Sequence, residues 1–160
     1  MSIENVRKYL DRFGLADRVM ELEDCSATVA QAAADLGCEE ARIAKTMAFL
    51  TKQGAVLVVM AGDARVKNSL YKAKFGEKAV MIAPDRLPEL VGHPMGGVCP
   101  FDHVPGVPVY LDESLRRFDI VYPAAGTNHS AVRLTIPELE GSVQEFAGWV
   151  DLGKGWRPEE

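Results

Sequence analysis

The stretch that most restricts the fold is "AKTMAFLTKQGAVLVVMAG", residues 44–62. Its pattern predicts two strands, about 44–51 and 55–61, hinged on Gln53-Gly54 as a hairpin. The second strand, "AVLVVMA", has no polar position at all. A strand that offers nothing to water has to be covered on both faces, so this chain needs a sheet with packed layers on either side.

The flanking elements supply those layers. Ile3, Val6, Leu10 and Phe13 recur at helical steps over residues 3–14, and "RVMELE" (18–23) reads as a short strand. Thr28 and Gln31 fit a capping box that opens a helix stopped at Gly37. A further helical turn is expected around 39–42. Downstream, a basic helix is predicted at 65–75 and a strand at 78–83. A short helix then starts near Pro84 and ends at Gly92. Strands follow at 107–111, 118–126 and 131–136, with a helix near 112–117. Thr135 and Glu138 form a second capping box with Pro137 in the first turn. "GWVDLGKGWRPEE" reads as a last short strand and a frayed tail. Hairpins mixed with crossover helices predict an α/β (α+β) domain: a mixed, strongly bent sheet flanked by helices. With no repeat or linker, residues 1–160 are expected to form one domain.

Composition narrows the function classes. Eighteen Lys and Arg against 23 Asp and Glu give a net charge of −5, which disfavours extensive grip on a duplex. One basic patch stands out, "RVKNSLYKAKFGEK" (65–78), carrying Arg65, Lys67, Lys72, Lys74 and Lys78; it reads as a solvated helix face or a small nucleic-acid contact. No apolar run is long enough to span a membrane, and the charged, amphipathic N-terminus does not read as a signal peptide. Cys25, Cys38 and Cys99 form no CxxC pair, which points to reduced thiols in a cytoplasmic protein. No histidines share ligand spacing, so no metal is expected.

The chemistry-bearing residues cluster in three places. In "GHPMGGVCPF" (92–101), Gly96-Gly97 can expose backbone N–H and C=O groups to a ligand. Cys99 beside Val98 and Pro100 is either a packing residue or a nucleophile that borrows a base from His93, His103 or His129. Lys45, on an otherwise apolar strand, either snorkels from the sheet edge or holds a phosphate or carboxylate. His129, in "GTNHSAVRL", is a surface capping residue or a general acid–base group.

"ATVAQAAADLGCEEARIAKTMAF", "VVMAGDARVKNSLYKAKFG", "VGHPMGGVCPF", "VYLDESL" and "YPAAGTNHSAVRLTIPEL" together resemble the YbaK/EbsC family, which is related to the editing insertion domain of bacterial prolyl-tRNA synthetases. The match covers nearly the whole chain in the family's order. The resemblance implies a freestanding deacylase that hydrolyses the ester of a wrongly charged aminoacyl-tRNA, without metal or cofactor. Its site would comprise Lys45 on the terminal phosphate or ribose, the Gly96-Gly97 backbone orienting water or carbonyl, and His129 lining the amino-acid pocket or helping to position the ester. Met47, Val98, Cys99, Pro100, Gly126, Asn128 and Ser130 would line the substrate pocket. The implied partners are the acceptor end of aminoacyl-tRNA and prolyl-tRNA synthetase or an elongation factor that presents it, with neither DNA nor membrane. The chain departs from the pattern at Asp102, where the family often has glycine, at Cys99, where serine is commoner, and at Ala131, near which an acidic residue is common. The His129 pattern leans toward branches that clear alanine or another small amino acid from proline tRNA. A non-catalytic tRNA- or nucleotide-binding module and a Cys99-dependent thiol hydrolase are the rival readings.

Overall fold

The computed structural model describes residues 3–22 and 28–157; Cys25, the end of the expected 18–23 strand and residues 158–160 lie outside them. Its elements run α1 (Ile3–Asp11), β1 (Val19–Glu21), α2 (Val29–Leu36), β2 (Ile43–Thr51), β3 (Gly54–Ala61), β4 (Arg65–Val66), α3 (Asn68–Phe75), α4 (Leu87–Leu90), β5 (Val109–Asp112), β6 (Ile120–Pro123), β7 (Ser130–Val132), β8 (Leu134–Thr135), α5 (Ile136–Ser142), β9 (Phe146–Val150) and β10 (Gly153–Lys154). Six strands form one curled mixed sheet in the order β8-β6-β2-β3-β5-β9. The β2–β3 and β6–β8 pairs are antiparallel, and β2–β6, β3–β5 and β5–β9 are parallel. Two-stranded ribbons, β1–β7 and β4–β10, flank it.

The all-apolar strand sits where its composition demands. Leu57, Val59 and Ala61 of β3 enter one buried cluster with Val6 and Leu10 of α1 and Leu139 of α5. Val56, Val58 and Met60, alternating with them, enter a second cluster with Tyr71 of α3. The period of two sends alternate side chains to opposite layers, and both layers are buried.

Both N-caps are present. Thr28 accepts from the Gln31 N–H, and α2 ends at Gly37 in the left-handed region. Thr135 and Glu138 cap α5 reciprocally, and Glu138 also takes an ion pair from Arg18 at 2.7 Å. At position 102, where the family pattern often has glycine, Asp102 has φ +50, the left-handed region that glycine and aspartate tolerate best.

Several expectations need correction. The 78–83 segment is not a regular strand: it makes one bridge, Phe49 to Met81, with Leu50 N–H donating to Val80 O and Ile82 N–H to Ala48 O. It covers the end of the β2 edge that β6 leaves open, with Val80 and Met81 exposed rather than packed. Arg65 and Val66 belong to β4, not to the basic helix, which starts at Asn68. Phe13 lies beyond α1 and is exposed. The 131–136 segment splits into β7 and β8, and the last strand is two, β9 and β10.

Candidate active site

A cavity of about 310 Å³ opens between α2, the first half of β2, the 81–87 segment and two turns, 94–98 and 124–131. Val29, Ala32 and Leu36 of α2, one helical stripe, form an apolar wall, and Ile43, Ala44, Met47 and Ala48 of β2 also line the space. Met81 and Met95 line its mouth and are exposed. Its polar groups are few: Thr28, Lys45, Thr46, Tyr122, Asn128 and Ser130.

Lys45 is half-buried, and its Nζ donates to the carbonyl of Gly62 at 3.4 Å. Burial lowers its pKa, Asp63 opposes the shift and Arg65 adds to it. The acceptor carbonyl is itself fixed. A Cβ at Gly62 would stand 2.1 Å from Glu40 O and 2.7 Å from Val29 Cγ1, so the turn after β3 is locked against α2 and the 40–42 turn.

The glycine pair joins two loops. Gly97 N–H donates to Pro94 O at 2.9 Å, closing a turn in which Gly96 has φ +87. A Cβ at Gly96 would meet Asn128 Cβ at 2.7 Å, and one at Gly97 would meet the Gly126 carbonyl carbon and oxygen at 2.5 Å. Gly96 lines the cavity; Gly97 is buried in the contact between the turns. The partner turn is stapled by Ser130, whose Oγ accepts from Ala125 N–H at 3.1 Å and donates to Thr127 O at 3.1 Å.

Of the expected site residues, the structure brings Lys45, Met47, Gly96, Val98, Asn128 and Ser130 to the cavity wall. Gly97, Cys99, Pro100, Gly126 and His129 are not among the lining residues. His129 is half-buried beside Asn128; because the carboxamide Oδ1 only accepts, its Nδ1–H donates across 3.1 Å. Cys99 is enclosed, and burial pushes its thiol up to about 12. Its sulfur lies 3.5 Å from His93 Nε2, but that nitrogen donates to the Phe101 carbonyl at 2.7 Å and so already carries the proton. Burial also pushes the His93 pKa down. In this arrangement His93 Nε2 does not take up the thiol proton, and burial disfavours the thiolate. Among the described residues no group of His, Cys, Asp and Glu is arranged to hold a metal ion, and no helix is long and apolar enough to cross a membrane.

The sequence reading missed α2 as a cavity wall, although its stripe at 29, 32 and 36 was legible. It also missed Thr46, whose buried Oγ1 has no hydrogen-bond partner among the described residues. An unpartnered hydroxyl cannot be read from spacing, because it is defined by what the fold leaves out.

Three comparisons bear on this site. A protein of Bacillus subtilis (strain 168), "Uncharacterized protein YwhH", is 42% identical over 98% of this chain and 99% of its own. A crystal structure of a proposed trans-editing enzyme for prolyl-tRNA synthetase superposes with a TM-score of 0.85 at 30% identity, covering 97% of this chain and 99% of that one. The proline–tRNA ligase of Thermosipho melanesiensis is 26% identical over 80% of this chain, which spans 23% of the ligase. Residues 24–141 match the family model described as the aminoacyl-tRNA editing domain. With that match covering most of its length, the chain belongs to the aminoacyl-tRNA editing domain family.

Proposed function

We propose that this protein is a freestanding, cytoplasmic deacylase acting in trans as a single editing domain. Its substrate is a small amino acid, such as alanine, cysteine or serine, wrongly esterified to proline tRNA. The observation that carries the reading is the cavity itself: a largely apolar chamber of about 310 Å³ with Lys45 and the Gly96 backbone on its wall. Such a chamber admits a short, weakly polar side chain against its apolar walls.

The ester between an amino acid and the terminal ribose is already activated, so positioning supplies most of what is needed. Lys45, the cation of the cavity wall, binds the terminal phosphate or ribose end and places the ester at the mouth. Backbone groups of Met95 and Gly96 orient the water or the carbonyl. Water oxygen adds to the carbonyl carbon, the bond to the ribose oxygen breaks, and that oxygen takes up a proton. The products are the free amino acid and tRNA with an intact terminal hydroxyl. His129 supports the arrangement through Asn128 rather than from the cavity wall.

A panel of alanyl-, cysteinyl- and seryl-tRNA(Pro) tests this, with correctly charged prolyl-tRNA as control. Faster-than-spontaneous loss of at least one mischarged ester, with the control spared, is the expected result. Binding of tRNA without hydrolysis of any ester would make the protein a binding module instead.

A further inference from the structure

The β4–β10 ribbon breaks a rule of sheet design. Arg65 and Lys154 are direct Cα partners in an antiparallel pair, so two exposed like charges stand opposite one another. Such a pairing opposes ribbon formation. Among the described residues, Asp63, Asp151 and Asp112 are committed elsewhere. Both oxygens of Asp63 are taken by Arg117, at 2.6 and 2.9 Å, and Asp151 pairs with Arg157. Buried Asp112 accepts from the Ser114 and Leu152 N–H groups. Among the described residues neither Arg65 nor Lys154 has an ion pair.

The ribbon is anchored beside the cavity. β4 starts three residues after Gly62, whose carbonyl receives the Lys45 ammonium, and the turn between is closed by Ala64 N–H to Ala61 O at 3.0 Å. Arg65 is near enough to Lys45 for their charges to repel. On a chain of net charge −5, three cations therefore run from the cavity wall onto the ribbon, and Asp63 and Asp151 beside them pair with Arg117 and Arg157 instead.

We propose that Arg65 and Lys154 form a phosphate-binding ridge for the single-stranded end of the RNA whose terminal ester enters the cavity. The inference rests on the deacylase reading for what the strand carries, but not for the ridge itself. Lys154 lies outside the 24–141 family match, so the ridge is assembled partly from residues beyond it.

The test is the salt dependence of binding of uncharged proline tRNA to wild type, to the Arg65→Gln/Lys154→Gln double variant and to Lys52→Gln. Lys52 follows the far end of β2, about 23 Å along the strand from Lys45. Wild type should bind with a clear slope of log Kd on log salt. The double variant should lose about 0.7 of that slope per phosphate contact, about 1.4 in all. Its Kd at low salt should rise about tenfold. Its melting temperature should hold or rise as the repulsion disappears, and Lys52→Gln should bind like wild type. An aminoacyl-adenosine ester, which has no phosphate, should be hydrolysed equally by wild type and double variant. An unchanged slope in the double variant overturns the ridge even if wild type hydrolyses esters. A reduced slope with no ester hydrolysis by wild type leaves the ridge standing and sinks the deacylase reading. No measurable tRNA affinity in wild type sinks the ridge outright.

Discussion

Gly97 packs so closely on Gly126 that a Cβ at position 97 would lie 2.5 Å from both the carbonyl carbon and the oxygen of Gly126. The double glycine therefore fastens two turns together, and only its first member faces the cavity. Gly97→Ala is expected to lower stability and turnover together, since backbone must move to admit the methyl group. A loss of about 2 kcal/mol, or a melting temperature lower by about 4–8 °C, is the expected scale. Thermal melts beside deacylation rates check it; a variant that melts like wild type would show that the turns separate without strain.

Lys45 is held at a thermodynamic disadvantage. Its folded pKa lies below the unfolded value, chiefly through burial. Between those two values the unfolded chain binds more protons, so this group makes stability rise with pH and weakens the fold while it is charged. Lys45→Met should therefore be at least as stable as wild type at pH 7, while kcat/KM on mischarged tRNA falls tenfold or more, about the loss of one charge-assisted contact. The wild-type rate, corrected for spontaneous hydrolysis, should decline at a pH below the ordinary lysine value of about 10.4. Wild-type turnover in a folded Lys45→Met protein would remove the lysine from the site.

At pH 8 a thiol with a pKa of about 12 is ionised in only about one molecule in ten thousand. Cys99→Ser should keep most of the activity, because the hydroxyl can still donate to the Phe101 carbonyl that the thiol now faces at 3.6 Å. Alkylation of the native protein, followed by peptide mapping, should leave Cys99 unmodified.

Thr46 lines the cavity, and its buried Oγ1 has no hydrogen-bond partner among the described residues. Thr46→Val keeps the shape and removes that group, so stability should hold or improve by about 1 kcal/mol. If the bound ester supplies the missing partner, KM rises and kcat/KM drops about tenfold. Equal kinetics for the two proteins would show that the hydroxyl has no part in binding.

Asp102 occupies a left-handed conformation at φ +50. Asp102→Gly should be close to neutral, the relief of strain offsetting the added freedom of the unfolded chain. Asp102→Val should lower stability by about 1–2 kcal/mol. Denaturant titration of both variants separates the two effects.

Local signals settled the elements whose cause is local. The capping residues Thr28, Thr135 and Glu138, the stop at Gly37 and the two-sided burial of β3 all follow from a few adjacent side chains, and so they were legible in the chain itself. The 78–83 segment was misread because its apolar residues serve a mouth and an edge rather than a layer, which depends on how far β6 runs beside β2. The site divided in the same way. Lys45 stood out as a charge on an apolar strand, and Gly96-Gly97 as a pair with unusual backbone freedom. Which glycine faces the cavity was decided by contacts between segments thirty residues apart, and the burial of Cys99 and the place of His129 beside Asn128 by how those segments pack. Sequence determines which residues can turn, cap or pack. Whether a group meets solvent, a partner or another backbone is set only when distant segments close on one another, because burial and close approach are properties of the assembled surface.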